Sequence, residues 1–464
     1  MSTSGTYEID KADEKRFRWR SYPHVQTFLE QRLSDFLAPV QRRQLSSDPL
    51  WETVVLRDTA DACGLRFFDL LDYLRLAVPA DAKALLEKQG FTPREKIHGM
   101  GRLYRHEGAL FPFLILEEVQ TEKASAVLEL AIKVEDLELL QKRKGYPASL
   151  REGREPSLRS ISLSDQRGYA LTFVERRGNS GFEKRDGEKE SSKKVEEVEF
   201  LFGKFRDTKI RCLEDPEEAF KKTFEIVEKA IILVRKERAA YEWVQAEVRY
   251  WEQRNKAATV QGKLQRELGL GWLNKDHITY RNSKKNFPKT IKVLSLLGFE
   301  KRERLHAEEF TAQILENPVL GVAAFVDVDP AGKKELGTVG LWVKIHGESL
   351  LSAGLHHMAA RYDFVKVQGV LKKHGVSFRP PFSYFDDLKQ VFTEGERSVI
   401  PEAHARRLLA ERVITEPQFR EYVTKGAVYT HLEDIQRGNG FKGFNQQSVD
   451  KTLRDTGKSL RFKK

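Results

Sequence analysis

From Tyr22 to about Leu71 the apolar residues recur at spacings of three and four, with Val25, Phe28, Leu29, Leu33 and Phe36 forming one stripe. That period predicts an N-terminal helical extension over residues 1–71. The period then shortens. Residues 72–78 (DYLRLAV) predict a strand, 80–90 (ADAKALLEKQG) a helix ending at Gly90, and 103–119 two further strands around the Glu107-Gly108 turn, which together suggest one βαβββ unit. A second unit follows in the same order: strand 127–134 (VLELAIKV), helix 135–143, a stop at Gly145, and strands near 157–163 and 169–175.

Residues 183–194 (EKRDGEKESSKK) are almost wholly charged or small and predict a boundary without a core. Residues 215–268 return to a helical period with Phe220, Phe224, Val227, Ile231 and Val234 on one face. Asp215 before Pro216 and Glu217 reads as an N-cap followed by proline in the first turn. One long helix or a helical hairpin is expected, packed on its own chain or on a second subunit.

The module pattern restarts with strand 276–281 (DHITYR), helix 288–297, Gly298 and strands around 301–315 and 337–345. It restarts again with strand 354–361 (GLHHMAAR), helix 363–373, Gly375, and strands near 385–394 and 427–436, with a helical stretch over 401–419 between the last two. The predicted class is α+β: tandem βαβββ modules in two half-barrel lobes. The lobes span 72–182 and 273–464, and a charged linker and helical insertion at 183–272 separates them.

Composition narrows this little. The chain has 464 residues, enough for two or three cores, and carries 80 Lys and Arg against 69 Asp and Glu, so a net charge of +11 is spread over interleaved signs. That is a weak footprint for nucleic acid, which is the less favoured partner. Cys63 and Cys212 are the only cysteines and form no CxxC spacing, so neither a disulfide framework nor a thiolate zinc site is supported. The N-terminal residues lack the apolar core of a secretion signal, and no stretch reaches the roughly 20 apolar residues of a membrane span, so a cytoplasmic location is expected.

The chemistry-bearing residues lie on the strands of the C-terminal lobe. Strand alternation places His277 with Thr279 and Arg281 on one face, and His357 with Ala359 apart from His356 and Met358. Glu433 lies with His431 and Ile435. Two imidazoles and one carboxylate on one side of a metal leave adjacent coordination positions open, the donor set that suits non-haem iron(II). The N-terminal lobe serves as a control, because DYL at 72–74 matches DHI at 276–278 and LEL at 128–130 matches LHH at 355–357. Tyr73, Leu130 and Phe173 then stand where the other lobe has His277, His357 and Glu433, which makes the first lobe metal-free.

Over residues 70–182 and 275–455 the chain resembles the 4-hydroxyphenylpyruvate dioxygenase family of the vicinal oxygen chelate superfamily. The resemblance is carried by HLEDIQRGNGFKGFN at 431–445, GLHHMA at 354–359, GVSFRPPFSYFDDL at 375–388 and DHITYR. It implies that His277, His357 and Glu433 bind Fe(II), with His356 and His431 as neighbours able to substitute. Phe441, Asn445, Gln390 and Glu421 are implied as pocket residues. The implied reaction joins decarboxylation of a 2-oxo acid to hydroxylation of the same molecule by dioxygen. The chain departs from the family at Gln446, where an aromatic is usual, at Glu421, where the expected strand REYVTK at 420–425 presents a carboxylate in place of glutamine, and in ENPVLGVAAFVDVDP, which lacks the family's serine and asparagine.

Two other readings share these residues: extradiol ring cleavage on the same triad, and a non-catalytic scaffold that binds nucleic acid or protein through its helical insertion. Homo-oligomerisation is left open by the sequence.

Overall fold

A computed structural model describes residues 23–43, 50–62, 67–106, 111–119, 126–144, 158–164, 168–182, 192–206, 215–253, 255–271, 275–283, 285–307, 310–328, 344–345, 352–359, 364–378, 390–392, 397–428 and 433–436. For 352–359, 390–392 and 433–436 the backbone alone is described.

Two helices, α1 (Pro23–Arg43) and α2 (Trp51–Ala62), precede the first sheet. In that lobe β1 (Leu71–Val78), α3 (Ala80–Lys88), β2 (Phe91–Ile97), β3 (Gly101–His106) and β4 (Phe113–Glu118) form one module. The second comprises β5 (Val127–Val134), α4 (Leu137–Lys144), β6 (Leu158–Ser164) and β7 (Ala170–Arg176). The sheet order is β2-β3-β4-β1-β5-β7-β6, with β1 parallel to β4, β5 parallel to β7, and β1 antiparallel to β5 at the junction.

The sequence pattern missed β2 because only its ends, Phe91 and Ile97, are buried. Charged residues and Pro93 fill the middle of this edge strand, which blunts it against pairing with another chain.

A second sheet repeats this plan. It contains β8 (Lys275–Asn282), α9 (Phe287–Leu296), β9 (Glu300–Ala307), β10 (Phe310–Asn317) and β11 (Val322–Val328). These are followed by β12 (Ser352–Ala359), α10 (Phe364–Lys373), β13 (Gln390–Phe392) and β16 (Glu433–Gln436). Its order, β13-β16-β12-β8-β11-β10-β9, is the first sheet's order read backwards, module for module.

The strand expected over 337–345 is replaced by β11, whose sequence VAAFVDV is buried on both faces and therefore shows no alternation. Lys344 and Ile345 are helical, and 337–343 lie outside the described residues. Each lobe thus pairs a four-stranded with a three-stranded module among the described residues.

The helical insertion consists of α5 (Ser192–Arg206), α6 (Pro216–Leu233), α7 (Lys236–Glu252) and α8 (Lys256–Glu267). Helix α5 begins inside the segment expected to be coreless, and its Val198 and Phe202 are fully buried. Asp215 caps α6 by accepting from the Glu217 and Glu218 amides at 2.9 and 3.5 Å.

The insertion's apolar stripe joins one face of the second sheet: Phe220, Val227, Trp243 and Trp251 share a core with Ile278, Tyr280, Ala324 and Val326. Trp243 Nε1 donates to the Tyr280 hydroxyl at 3.0 Å. At its far end the insertion reaches the first lobe, where Leu268 and Leu270 enter the core of that sheet and the Glu135 amide donates to the Leu270 carbonyl at 2.8 Å. These helices therefore pack on both lobes of their own chain.

A second clamp between lobe and insertion is Gly178, whose φ of +81° admits glycine most readily and whose missing side chain lets the loop after β7 lie against the Glu237 carbonyl. Gly178→Ala is expected to cost at least about 1–3 kcal/mol, read from the midpoint of denaturant unfolding. A midpoint unchanged from the wild type would contradict this packing.

Between β13 and β16, where the first lobe has only residues 165–169 between β6 and β7, the chain inserts β14 (Arg397–Ser398), α11 (Glu402–Ala410), α12 (Glu416–Thr424) and β15 (Ala427–Val428). Ile400, Ala405, Leu408, Ile414 and Ala427 give this unit its own small core. Thr415 caps α12 in a reciprocal capping box with Gln418. No described helix is long and apolar enough to cross a membrane.

Candidate metal centre

Three adjacent strands, β8, β12 and β16, bring the candidate ligands together. The antiparallel ladder sets His356 directly opposite His277, and the parallel ladder sets His357 beside Asp434, Met358 beside Ile435 and Ala359 beside Gln436. Residues paired across a ladder share a face, so His277, His356 and Glu433 fall on one face of the sheet by register. His357 pairs with Asp434, on the other face, and with Lys275, two residues before His277 on β8, so its two ladders differ across the irregularity.

The ladder thus sets His356 directly opposite His277, whereas alternation and the family resemblance point to His357. A register shift between His356 and His357 breaks the simple count along the strand, because the partner moves from His277 to Lys275 and leaves Asp276 as an extra residue.

His277 is 1% exposed, and its ring lies 5.7 Å from that of Phe325 on β11. The next residues on its face are Thr279 and Arg281, and Arg281 Nε donates to Asp327 Oδ2 at 3.3 Å across the β8–β11 ladder. Ile278 and Tyr280 face the helices. Gln390 lies beside Ile435 and Phe392 beside Glu433, which puts both on the face of Glu433 by register.

Among residues with described side chains, no group of three His, Cys, Asp or Glu could hold a metal. His356 and Glu433 stand on strands described through their backbone alone. His431, Phe441 and Asn445 lie outside the described residues.

Glu421 requires a correction. The segment REYVTK is the end of helix α12, not a strand, and the Glu421 carboxylate accepts from Arg397 Nη1 at 2.6 Å. Its Thr-x-x-Gln start signal at Thr415 and Gln418 was readable in the sequence and outweighs the β-branched residues near its end.

The corresponding face of the first sheet is closed by hydrogen bonds. The Tyr73 hydroxyl donates to Glu129 Oε1 at 2.5 Å and Thr172 Oγ1 donates to the same oxygen at 2.6 Å, while Arg75 Nε lies 3.3 Å from Glu129 Oε2. Leu130 and Phe173, matched by sequence to ligand positions, belong to the core on the opposite face. Glu129 and Thr172 are the polar residues beside Tyr73, and the pairing of LEL with LHH and of Phe173 with Glu433 passed over them.

Burial, and then the Glu129 carboxylate, push the Tyr73 phenol well above its ordinary value near 10. The sign follows from linkage. An unfolded phenol ionises near pH 10 while the folded one stays protonated, so the contribution is complete below about pH 10 and is lost as pH climbs above it. Tyrosinate absorbance of the native protein is therefore expected to be the same in wild type and Tyr73→Phe up to about pH 11. Loss of one equivalent in the variant below that pH would contradict the buried pairing.

No protein-family model and no curated protein matches the sequence. Among solved structures, a mutant of 4-hydroxymandelate synthase from Streptomyces coelicolor is 14% identical over 84% of this chain and 98% of its own, with a TM-score of 0.26. Homoprotocatechuate 2,3-dioxygenase from Brevibacterium fuscum is 10% identical over 80% of each chain, with a TM-score of 0.20. A halotolerant catechol dioxygenase is 9% identical over 80% of this chain and 88% of its own, with a TM-score of 0.20. At such scores the likeness bears no functional weight, and the α+β class rests on the strand order and the repeated modules described above.

Proposed function

We propose that the chain is a non-haem Fe(II) dioxygenase acting on a 2-oxo acid, its metal held by His277, Glu433 and a histidine of the His356–His357 pair. The observation that supports this reading is that β8, β12 and β16 are neighbours in one sheet, with His356 directly opposite His277 and His357 beside Asp434, the residue after Glu433. The donor set fits iron(II): two imidazoles and a single carboxylate on one side leave neighbouring positions for a chelating substrate and dioxygen. The first lobe supports the contrast, since Tyr73, Glu129 and Thr172 there bond to one another.

Bound iron would supply the redox and Lewis-acid chemistry. The chain's own part is to hold His277 in place against Phe325, to exclude water from a face whose described residues are mostly buried, and to orient the rest of the substrate along it.

Register favours His356 as the second imidazole, whereas the GLHHMA resemblance favours His357. Because strand side chains alternate, a one-residue change of register at the Asp276 irregularity would exchange the two. His356→Ala and His357→Ala, each loaded anaerobically with Fe(II) and assayed for bound iron, separate them. Loss of iron in His356→Ala alone is expected. Loss in His357→Ala alone assigns the ligand to the motif position, and full iron in both contradicts the site.

A further inference from the structure

We propose that Arg281 is a specificity-determining residue that receives a second acidic group at the far end of the substrate, which makes the preferred 2-oxo acid a short-chain dicarboxylate instead of an aryl-pyruvate. This inference rests on the dioxygenase reading.

Arg281 shares the face of His277 on β8, four residues further along, and at a strand rise of roughly 3.3 Å per residue the two backbones are about 13 Å apart. Between them lie Thr279, 3% exposed, and on the parallel neighbour β11 the ring of Phe325. From His277 onward along β8, and on β10 and β11, Arg281 is the only cation of that face among the described residues; Lys275 lies two residues before His277, at the opposite end. A ligand anchored at the His277 end and extended along the strand meets apolar and hydroxyl surface first and a guanidinium last.

The guanidinium is oriented as well as charged. Asp327, directly across the ladder, accepts from Nε at 3.3 Å and is itself 3% exposed. An arginine presents five donors in a planar fork, so a carboxylate partner at Nε fixes its plane while other donors remain to meet an oxyanion. Glu316, the other acid that β10 and β11 carry on this face, stands level with His277 through Ala323 and not beside Arg281.

An aromatic substrate end placed here would desolvate the Arg281–Asp327 pair without replacing its hydrogen bonds to water. A carboxylate would supply charge-assisted bonds in their place.

The test uses the full chain loaded anaerobically with Fe(II), its iron content measured, and calorimetric titration with 2-oxopentanedioic acid and with 2-oxopentanoic acid, which differ only in the distal carboxylate. Wild type is expected to bind the diacid about tenfold or more tightly, the factor that one charge-assisted hydrogen bond supports. Arg281→Gln should abolish that preference with iron content unchanged. Arg281→Lys keeps the charge opposite Asp327 and should retain part of the preference, so the test survives if the glutamine variant does not fold.

Equal affinities in wild type, or a full preference in either variant, would overturn the assignment of Arg281. Failure of the wild type to take up iron is a separate result, and it overturns the dioxygenase reading on which this inference stands.

Discussion

Replacing His277 with alanine is expected to leave the protein folded and strip it of iron. The imidazole is buried beside Phe325, so its removal opens a cavity whose cost is on the order of 1–3 kcal/mol, within the range a two-core chain tolerates. Its effect on metal should be far larger. Residues that merely orient a ligand change metal affinity by about 10–100-fold, and a direct ligand should exceed that. Bound iron should fall to background after anaerobic loading while the far-ultraviolet circular dichroism stays that of the wild type. Full retention of iron by a folded His277→Ala protein would remove His277 from the site.

The largest effect on stability is expected at Arg176, in the first lobe. Its guanidinium meets the Asp72 carboxylate through Nε and Nη2 at 2.9 Å, and Nη1 donates to the carbonyls of Asn179 and Gly181 at 3.2 and 2.6 Å. It also lies over the Phe182 ring at 4.7 Å from the centroid. Asp72 is 2% exposed. Arg176→Ala would leave that carboxylate buried without its cation and two carbonyls without their donor, a loss of about 3–5 kcal/mol.

Arg176→Lys should fall between the two, because an ammonium keeps the charge and loses the fork. Urea unfolding monitored in the first lobe reads the difference. A loss below about 1 kcal/mol, the value of an exposed ion pair, would contradict the buried geometry.

Helices with a clean stripe and a cap were legible in the chain: α1, α6 and α9 fall where Val25 to Phe36, Phe220 to Val234 and the segment after Asn286 predict them. Strands β1 and β5 were legible from their apolar runs broken by single charges at Arg75, Glu129 and Lys133, although both are buried along most of their length. What alternation could not show was the strand buried on both faces, β11, and the polar edge strand β2. Helix α5 was hidden behind SSKK, whose lysines are exposed while Val198 and Phe202 carry the packing.

The candidate site divides along the same line. Residue types and strand membership of His277 and Glu433 followed from sequence, as did the shared face of His277, Thr279 and Arg281. Which histidine of β12 stands opposite His277 did not, because the ladder register and its irregularity at Asp276 set it, and no spacing within β12 encodes either. The partnership of Arg281 with Asp327 was likewise invisible, since it joins strands 46 residues apart in the chain.

The central claim is that one lobe binds a single iron. Its most direct measurement is elemental analysis of the untagged wild-type protein after anaerobic Fe(II) addition and removal of excess metal. The account predicts one iron per chain, and a protein that retains no iron under those conditions would contradict it.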